Sequence, residues 1–213
     1  MRPVSLPVAL VVALSAPGAG AATLTVSWTG HVTSVDSALS STFTVGDPAS
    51  GTFQIETTTP DSDPAANHGE YDALRNMSIT LSGVTATSAL PTLGGLSIFD
   101  SPPGTFVDGL EQDAGPWLGD DIGSLHFFSA NGLNLEDQQS TAFVTDAIPT
   151  SLDLSQFEIR NFGLNYFDGE FLVQARAFAD SITFTVPEPG ALTLLAVAAL
   201  GAALTPRRCR RSG

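Results

Sequence analysis

The alternation of apolar and polar residues near the start of the chain predicts a β-strand. Leu24, Val26 and Trp28 stand between threonines and serines, and this period of two is typical of a strand buried on one face. Val32 keeps the register but Val35 breaks it, which predicts a β-bulge near residues 33 and 34. The first element of the body is therefore a strand with a bulge.

The same period of two recurs along the body, and no segment of normal helix length shows helical spacing of its apolar residues. Further strands are predicted at residues 52–56, 77–81, 84–86, 96–99, 104–107, 125–128, 142–145, 171–177 and 181–186. Between them lie a predicted turn at Gly46-Asp47-Pro48, loops at residues 57–67 and 109–123, and a hairpin turn at residues 178–180. Many short strands separated by turn signals predict an all-β body, an antiparallel β-sandwich or jelly roll.

The first 21 residues have the pattern of a secretory signal peptide. A positive start at Met1-Arg2 precedes an apolar run over residues 4–16, and Ala19-Gly20-Ala21 supplies the small residues that signal peptidase needs. We expect a signal helix that is cleaved after Ala21, or alternatively after Ala22. Residues 22–186 are then the exported body, about one domain in length.

The C-terminal residues 187–213 form a separate segment. Val186 is followed by Pro187-Glu188-Pro189, and the prolines end the last strand because neither can donate a ladder hydrogen bond. Residues 190–205 are uncharged and rich in Ala and Leu. As a helix they would be about 24 Å long, enough for one short transmembrane helix with slight local thinning of the bilayer.

An arginine cluster completes this segment. Arg207, Arg208, Arg210 and Arg211 follow the apolar run without an acidic neighbour, and such clusters stay on the cytoplasmic side of a membrane. The body is then expected outside the inner membrane. The alternative is a buried C-terminal core helix, which a run of this length also permits.

The Pro-Glu-Pro motif, the apolar run and the arginine cluster follow one another in this order at the extreme C-terminus. In these three features the chain resembles proteins that carry a PEP-CTERM sorting tail. The resemblance covers residues 186–213. It implies recognition by an exosortase, a membrane-embedded cysteine protease or transpeptidase, with removal of the tail near Pro187 to Pro189. It implies release of the body to the cell envelope, the cell surface or the extracellular polysaccharide, and it implies no activity for the body.

Charge and cysteine content limit the partners of the body. It has three arginines against twenty-one acidic residues and no lysine, which gives a formal net charge of −18 with neutral histidines. Such a surface repels nucleic acid and anionic lipid. Cys209 is the only cysteine and lies in the tail, so no disulfide can form within the body.

A cluster of acidic residues in the second half of the 57–67 loop and just after it is a candidate calcium site. Glu70 and Asp72 share a face with His68 if the backbone is extended, and Asp61 and Asp63 lie just upstream. Carboxylate oxygens are the ligands that calcium prefers. The spacing does not follow the loop pattern of an EF-hand, so the alternative is a solvated acidic loop that binds no metal.

Trp117 is a candidate carbohydrate contact. It is flanked by the acidic residues Glu111, Asp113, Asp120 and Asp121, and an exposed indole beside polar groups can stack on a sugar ring. The alternative is an indole packed against the edge of the sheet.

The motifs of common enzymes are missing from the sequence. There is no G-x-S-x-G, H-E-x-x-H or P-loop pattern, and the body has no cysteine nucleophile and no lysine for a Schiff base. We therefore expect a protein without enzymatic activity or resident cofactor, an exported structural or binding module with polysaccharide as its candidate partner. The alternative is a secreted hydrolase of matrix polysaccharide.

Overall fold

The structure is a computed structural model that describes residues 23–89, 94–101, 108–113 and 115–186. Its strands are β1 (Thr23–Val35), β2 (Pro48–Glu56), β3 (His68–Leu81), β4 (Val84–Ser88), β5 (Gly94–Phe99), β6 (Asp108–Asp113), β7 (Trp117–Gly119), β8 (His126–Asp137), β9 (Ile159–Phe167) and β10 (Leu172–Thr185). Two short 3₁₀ turns, Ser37–Leu39 and Leu154–Gln156, are the helical elements of this part of the chain. The predicted all-β character is confirmed.

Eight of the strands close into an antiparallel barrel. Their order around the sheet is β2, β1, β10, β9, β8, β6, β5 and β3, and pairing of β2 with β3 joins the two ends. The predicted two-layer sandwich or jelly roll is therefore wrong in its architecture. Strands that bury one face show the same period of two in a sandwich and in a barrel, so the pattern could not separate them.

Strands β4 and β7 form an arm beside the barrel. The second half of β3 pairs with β4, whereas its first half pairs with β5. β7 pairs with β4 in turn, at Ala86 to Ser88. This arm brings Trp117 back to the barrel wall near β8.

Aromatic side chains fill the barrel interior. Trp28 is buried, with ring centroids 5.6 Å from Phe53 and 5.8 Å from Phe162. Its indole lies over Gly51, its cross-strand partner, so closely that a Cβ at Gly51 would come within 2.0 Å of the ring. The core therefore depends on a missing side chain at residue 51.

The connections between strands close both ends of the barrel. Residues 36–47 close the end where β1 and β9 finish, with Leu39 and Phe43 buried and the Phe43 ring 6.4 Å from Tyr166. The connection from β8 to β9 covers the opposite end through Phe143 and Phe157, whose ring centroids lie 5.7 Å apart. No open channel is expected through an eight-stranded barrel filled this way.

A buried carboxylate holds the connection that closes the second end. Asp137 is 1 % exposed and accepts hydrogen bonds from the backbone amides of Gln139, Thr141 and Ala142 and from the Thr141 hydroxyl, at 2.6–3.0 Å. Burial opposes ionisation of Asp137, but these hydrogen bonds outweigh it and hold the pKa of the carboxyl below its ordinary value. Asp108, its cross-strand partner, is also buried.

Several predicted elements are confirmed. The bulge of β1 appears as a register shift between Val32 and Ser34, and Gly46 takes a positive φ of 95° in the predicted turn. Residues 57–67 form a loop as predicted.

Other predicted elements are wrong. Residues 142–145 form no strand, and the predicted loop at 109–123 contains most of β6 and all of β7. Residues 178–180 are not a hairpin turn, because β10 runs through them and pairs with both β9 and β1. They mark a close approach of two strands instead, since a Cβ at Gly30 would lie 1.9 Å from the Phe178 carbonyl oxygen.

The chain ends and one predicted strand lie outside the described residues. These are the signal peptide with Ala19 and Ala21, residues 104–107, and the tail with its predicted membrane helix. Within the stretch that begins at Thr23 and finishes at Val186, the described segments include no helix of sufficient length and hydrophobicity to cross a membrane.

Replacing Gly51 by alanine is expected to destabilise the barrel by about 3 kcal/mol, because the new methyl group overlaps the Trp28 ring. The measurement is urea unfolding followed by tryptophan fluorescence. Gly95→Ala is the matched control in β5, where a Cβ meets no atom within 4 Å; it should leave stability equal or slightly raised. Equal stability of the two variants would contradict the packing argument.

Replacing Asp137 by asparagine is expected to cost about 3 kcal/mol at pH 7, because an amide cannot accept all the donors around it. The pKa of Asp137 is lowered on folding, so its contribution is present above the unfolded pKa of about 3.9 and is lost as pH falls below it.

Urea unfolding at pH 7 and pH 3 checks this sign. The difference between the wild-type protein and Asp137→Asn should shrink at pH 3. Asp72→Asn, at an exposed carboxylate on β3, should stay within about 0.5 kcal/mol of the wild-type protein at both pH values. A stability difference between the wild-type protein and Asp137→Asn that stays constant between pH 7 and pH 3 would refute the lowered pKa of Asp137.

Candidate functional site

A bulge in β8 opens a cleft in the barrel wall. The register between β8 and β9 shifts between Asn131 and Asn134, so Gly132 and Leu133 have no regular partners on β9. Gly132 is needed for this geometry, because a Cβ there would lie 2.8 Å from the Gln112 Cβ. Bulges re-aim side chains, and this one turns Asn131 and Asn134 toward one cleft.

The cleft has a volume of about 420 Å³. We name it the bulge cleft, and it is defined by six polar residues with Trp117 beside them. The polar residues are Glu111, Gln112, Asn131, Asn134, Asn161 and Arg176. They come from β6, β8, β9 and β10, so the register of four strands places them together.

Two amide side chains at the bulge cleft are only partly hydrogen-bonded. Gln112 accepts from the Leu133 amide at 3.1 Å, but its Nε2 is buried without a hydrogen-bond partner in the described segments. Asn134 donates to Glu136 at 2.8 Å, whereas its Oδ1 is buried and likewise unpaired there. A buried amide end without a partner costs free energy, so a ligand that reaches it gains a strong contact.

Asn131 is oriented by a buried neighbour. Asn165 is 3 % exposed, and its Nδ2 donates to the Ser129 hydroxyl at 2.9 Å and to the Asn131 side-chain oxygen at 3.0 Å. Asn131 itself is exposed. The hydrogen bond from Asn165 holds the side-chain oxygen of Asn131, and it thereby fixes the direction in which the NH₂ group of Asn131 points.

The structure shows Trp117 packed against the sheet, while its contact with carbohydrate stays a prediction from the sequence. It lies in β7, opposite Ser88 of β4, and packs half-buried against the core. It also borders the bulge cleft. The indole is therefore held rigidly by the sheet while still lining the cleft.

The acidic neighbours of Trp117 do not converge on it as one group. Glu111 lines the bulge cleft, and Asp120 is exposed. Asp121 accepts from the Phe127 amide at 2.7 Å and contacts His126 at 3.0 Å. The hydrogen bond from the Phe127 amide lowers the pKa of Asp121 most, and the hydrogen bond with His126 lowers it further. The side chain of Asp113 lies outside the described structure.

A second cleft of about 570 Å³ adjoins the first. We name it the Gly109 cleft; it is lined by Asn67, His68, Phe99, Ser101, Gly109 and Glu136, and it shares Glu111 and Asn134 with the bulge cleft. His68 stacks on Phe99 with ring centroids 4.5 Å apart and 12° between the planes.

The predicted calcium ligands support the loop rather than gather around a common point. Asp61 accepts from the amides of Asp63 and Glu70, both at 2.9 Å. Asp63 accepts from the Ala65 amide at 2.8 Å and contacts His68 Nδ1 at 2.7 Å. The Ala65 hydrogen bond, followed by that of His68, lowers the pKa of Asp63.

Glu70 and Asp72 project outward from β3, as the extended backbone predicts. Among the residues with described positions, no three His, Cys, Asp or Glu side chains are grouped closely enough to hold a metal ion. Calcium binding stays a prediction from the sequence, without a preformed site in these segments.

The predicted sorting residues are mostly outside the described segments. Val186 follows β10 and is 60 % exposed. Pro187, Glu188, Pro189 and the arginine cluster of residues 207–211 fall beyond the last described residue, so their roles stay predictions from the sequence.

The asparagines of the bulge cleft were not predicted from the sequence. Asn131-Gly132-Leu133-Asn134 breaks the alternation of β8, and this break is the signal that could have indicated a bulge. The contribution of Asn161 and Arg176 depends on strand pairing and has no local signal.

Comparisons with protein-family models, with curated proteins and with solved structures gave no match to this chain. The site is therefore interpreted from its own geometry.

Proposed function

We propose that this chain is an exported protein of the cell surface or extracellular matrix whose barrel binds carbohydrate in the bulge cleft. The observation that carries the proposal is the half-buried Trp117 beside partly unpaired amides of Gln112 and Asn134. Sugars present hydroxyl groups that both donate and accept, together with apolar C–H faces that stack on aromatic rings. Amide side chains and an indole match these two properties.

Charge narrows the class of carbohydrate. The body has a formal net charge of −18, and Arg176 is the cation at the bulge cleft, where Glu111 is also present. An acidic polysaccharide would be repelled by the field of the whole body. A neutral or positively charged glycan is the class that fits.

Export rests on the sequence of the two chain ends. The signal peptide and the PEP-CTERM-like tail favour passage through signal peptidase and an exosortase-type protease, with membrane anchoring before processing. A binding module for polysaccharide is useful at the place where such a route ends.

One observation favours the alternative of a secreted polysaccharide hydrolase. Glu111 and Glu136 line the same Gly109 cleft, and glycoside hydrolysis uses a pair of carboxyl groups across a cleft. Reducing ends released by the purified protein from a polysaccharide that it binds would favour this alternative over a pure binding module.

Replacing Trp117 by alanine is expected to weaken glycan binding about tenfold, because about 1.4 kcal/mol of ring stacking is lost. Calorimetric titration of the full-length protein with neutral, amino and acidic oligosaccharides is the measurement. Leu118→Ala is the matched control, since Leu118 is 60 % exposed on the same strand and its side chain points to the other face.

Asn131→Ala is a second variant, at an exposed position where loss of folding is not expected; it should also weaken binding. Wild-type affinity in both Trp117→Ala and Asn131→Ala, or no binding of any oligosaccharide by the wild-type protein, would rule out the bulge cleft as a carbohydrate site.

The export proposal is tested by the intact mass and cell fraction of the protein, from cells with and without the exosortase-type protease. We expect a mature protein that lacks residues 1–21 and the segment after Pro189, found outside the inner membrane in cells with the protease. A mass that keeps the tail in both strains would show that the protein stays a membrane-anchored ectodomain.

A further inference from the structure

The two clefts lie side by side on the outer face of the barrel. Strand register places His68 opposite Phe99, Phe99 opposite Gly109, and Gly109 opposite Glu136. The next row along the strands contains Ser97 opposite Glu111, and Asn134 opposite Asn161. Because alternate residues of a strand share a face, the two rows form one surface.

A missing side chain creates the Gly109 cleft within this surface. Gly109 stands between Phe99 and Glu136, and a Cβ there would lie 3.1 Å from the Leu135 carbonyl oxygen and 3.6 Å from the Phe99 ring. Its floor is therefore bare backbone, and its two sides are an aromatic ring and a carboxylate. A flat apolar ring with a polar substituent fits such a depression.

The aromatic side of the Gly109 cleft is held in place. Phe99 is stacked on the imidazole of His68, and Asp63 contacts Nδ1 of that imidazole at 2.7 Å. Nε2 of His68 is buried and unpaired in the described part of the chain. The pair forms a rigid platform comparable with Trp117 of the bulge cleft.

The junction between the clefts is acidic. Glu111 and Asn134 line both clefts, and Asn134 donates to Glu136 Oε1 at 2.8 Å, which orients that carboxylate. Glu70 projects outward beside Ser97 in the same row as Glu111. Arg176 lines the bulge cleft, whereas the described lining of the Gly109 cleft contains two glutamates and no arginine.

We propose that the two clefts together hold neighbouring units of one linear glycan, and that Glu111 and Glu136 at their junction bind the ammonium group of an amino sugar. Trp117 and the Phe99–His68 stack are the platforms at the two ends. This inference rests on the proposed carbohydrate binding and adds to it the ligand class, an amino-sugar oligomer that spans both clefts.

The test is calorimetric titration of the full-length protein, at low salt, with glucosamine oligomers. A tetramer in fully deacetylated and fully N-acetylated form is compared with the deacetylated dimer, which fills one cleft. We expect the deacetylated tetramer to bind about tenfold more tightly than the acetylated tetramer. Equal affinity for the two tetramers would overturn amino-group recognition.

Glu111→Gln should remove most of this preference. Glu170→Gln is the matched control for net charge, because Glu170 is exposed in the turn between β9 and β10, away from both clefts. Equal losses in these two variants would show attraction by the overall field and would overturn the specific role of Glu111.

Phe99→Ala should weaken the tetramer about tenfold and leave the dimer unchanged, whereas Trp117→Ala should weaken both. An unchanged tetramer in Phe99→Ala would overturn the second subsite, while the proposed function stands if Trp117→Ala still weakens the dimer. Unchanged binding of both ligands in Trp117→Ala and in Asn131→Ala would rule out the proposed function itself.

Discussion

Hydrogen bonds from backbone amides to aspartate carboxylates hold the connections of this barrel. The aspartates that accept such bonds are Asp36, Asp47, Asp61, Asp63, Asp108, Asp121, Asp137, Asp153 and Asp168. A bond to an ionised acceptor is about twice as strong as one between neutral groups. In a body without cysteine, these bonds fix the loops that a disulfide would fix elsewhere. The acidic composition is therefore partly a structural property.

This role of the acidic residues also limits where a ligand can use them. Asp61 and Asp63 are occupied by loop amides and by His68, whereas Glu111 lies exposed beside both clefts. The side chains that order the loop around residue 63 also hold the His68 ring against Phe99. Loop order and the shape of the Gly109 cleft are thus coupled through one carboxylate.

The period of two predicted strands correctly where one face of the strand is apolar and the other polar, as in β1, β2 and the second half of β3. Barrel closure could not be predicted, because it depends on pairing of β2 with β3 and on β10 serving two neighbours. β9 was missed although Phe162, Leu164 and Tyr166 alternate with polar residues and glycine. A cluster typical of a turn at residues 178–180 proved to be a site of close strand approach instead. The bulge cleft could not be predicted, because it depends on the register between strands that are distant in sequence. Of its residues, the sequence had indicated Trp117 and its acidic neighbour Glu111.

Closure of the sheet has a consequence for the behaviour of the protein at high concentration. The strand edges of an open sheet expose unpaired backbone groups, and these can template the growth of fibres from many copies. In this barrel each of the eight strands pairs with a neighbouring strand on both sides. The described arm ends in β7, which is only three residues long. Closure therefore leaves less strand edge exposed for such pairing than an open sheet of the same strands would, and salt does not weaken this protection as it weakens charge repulsion.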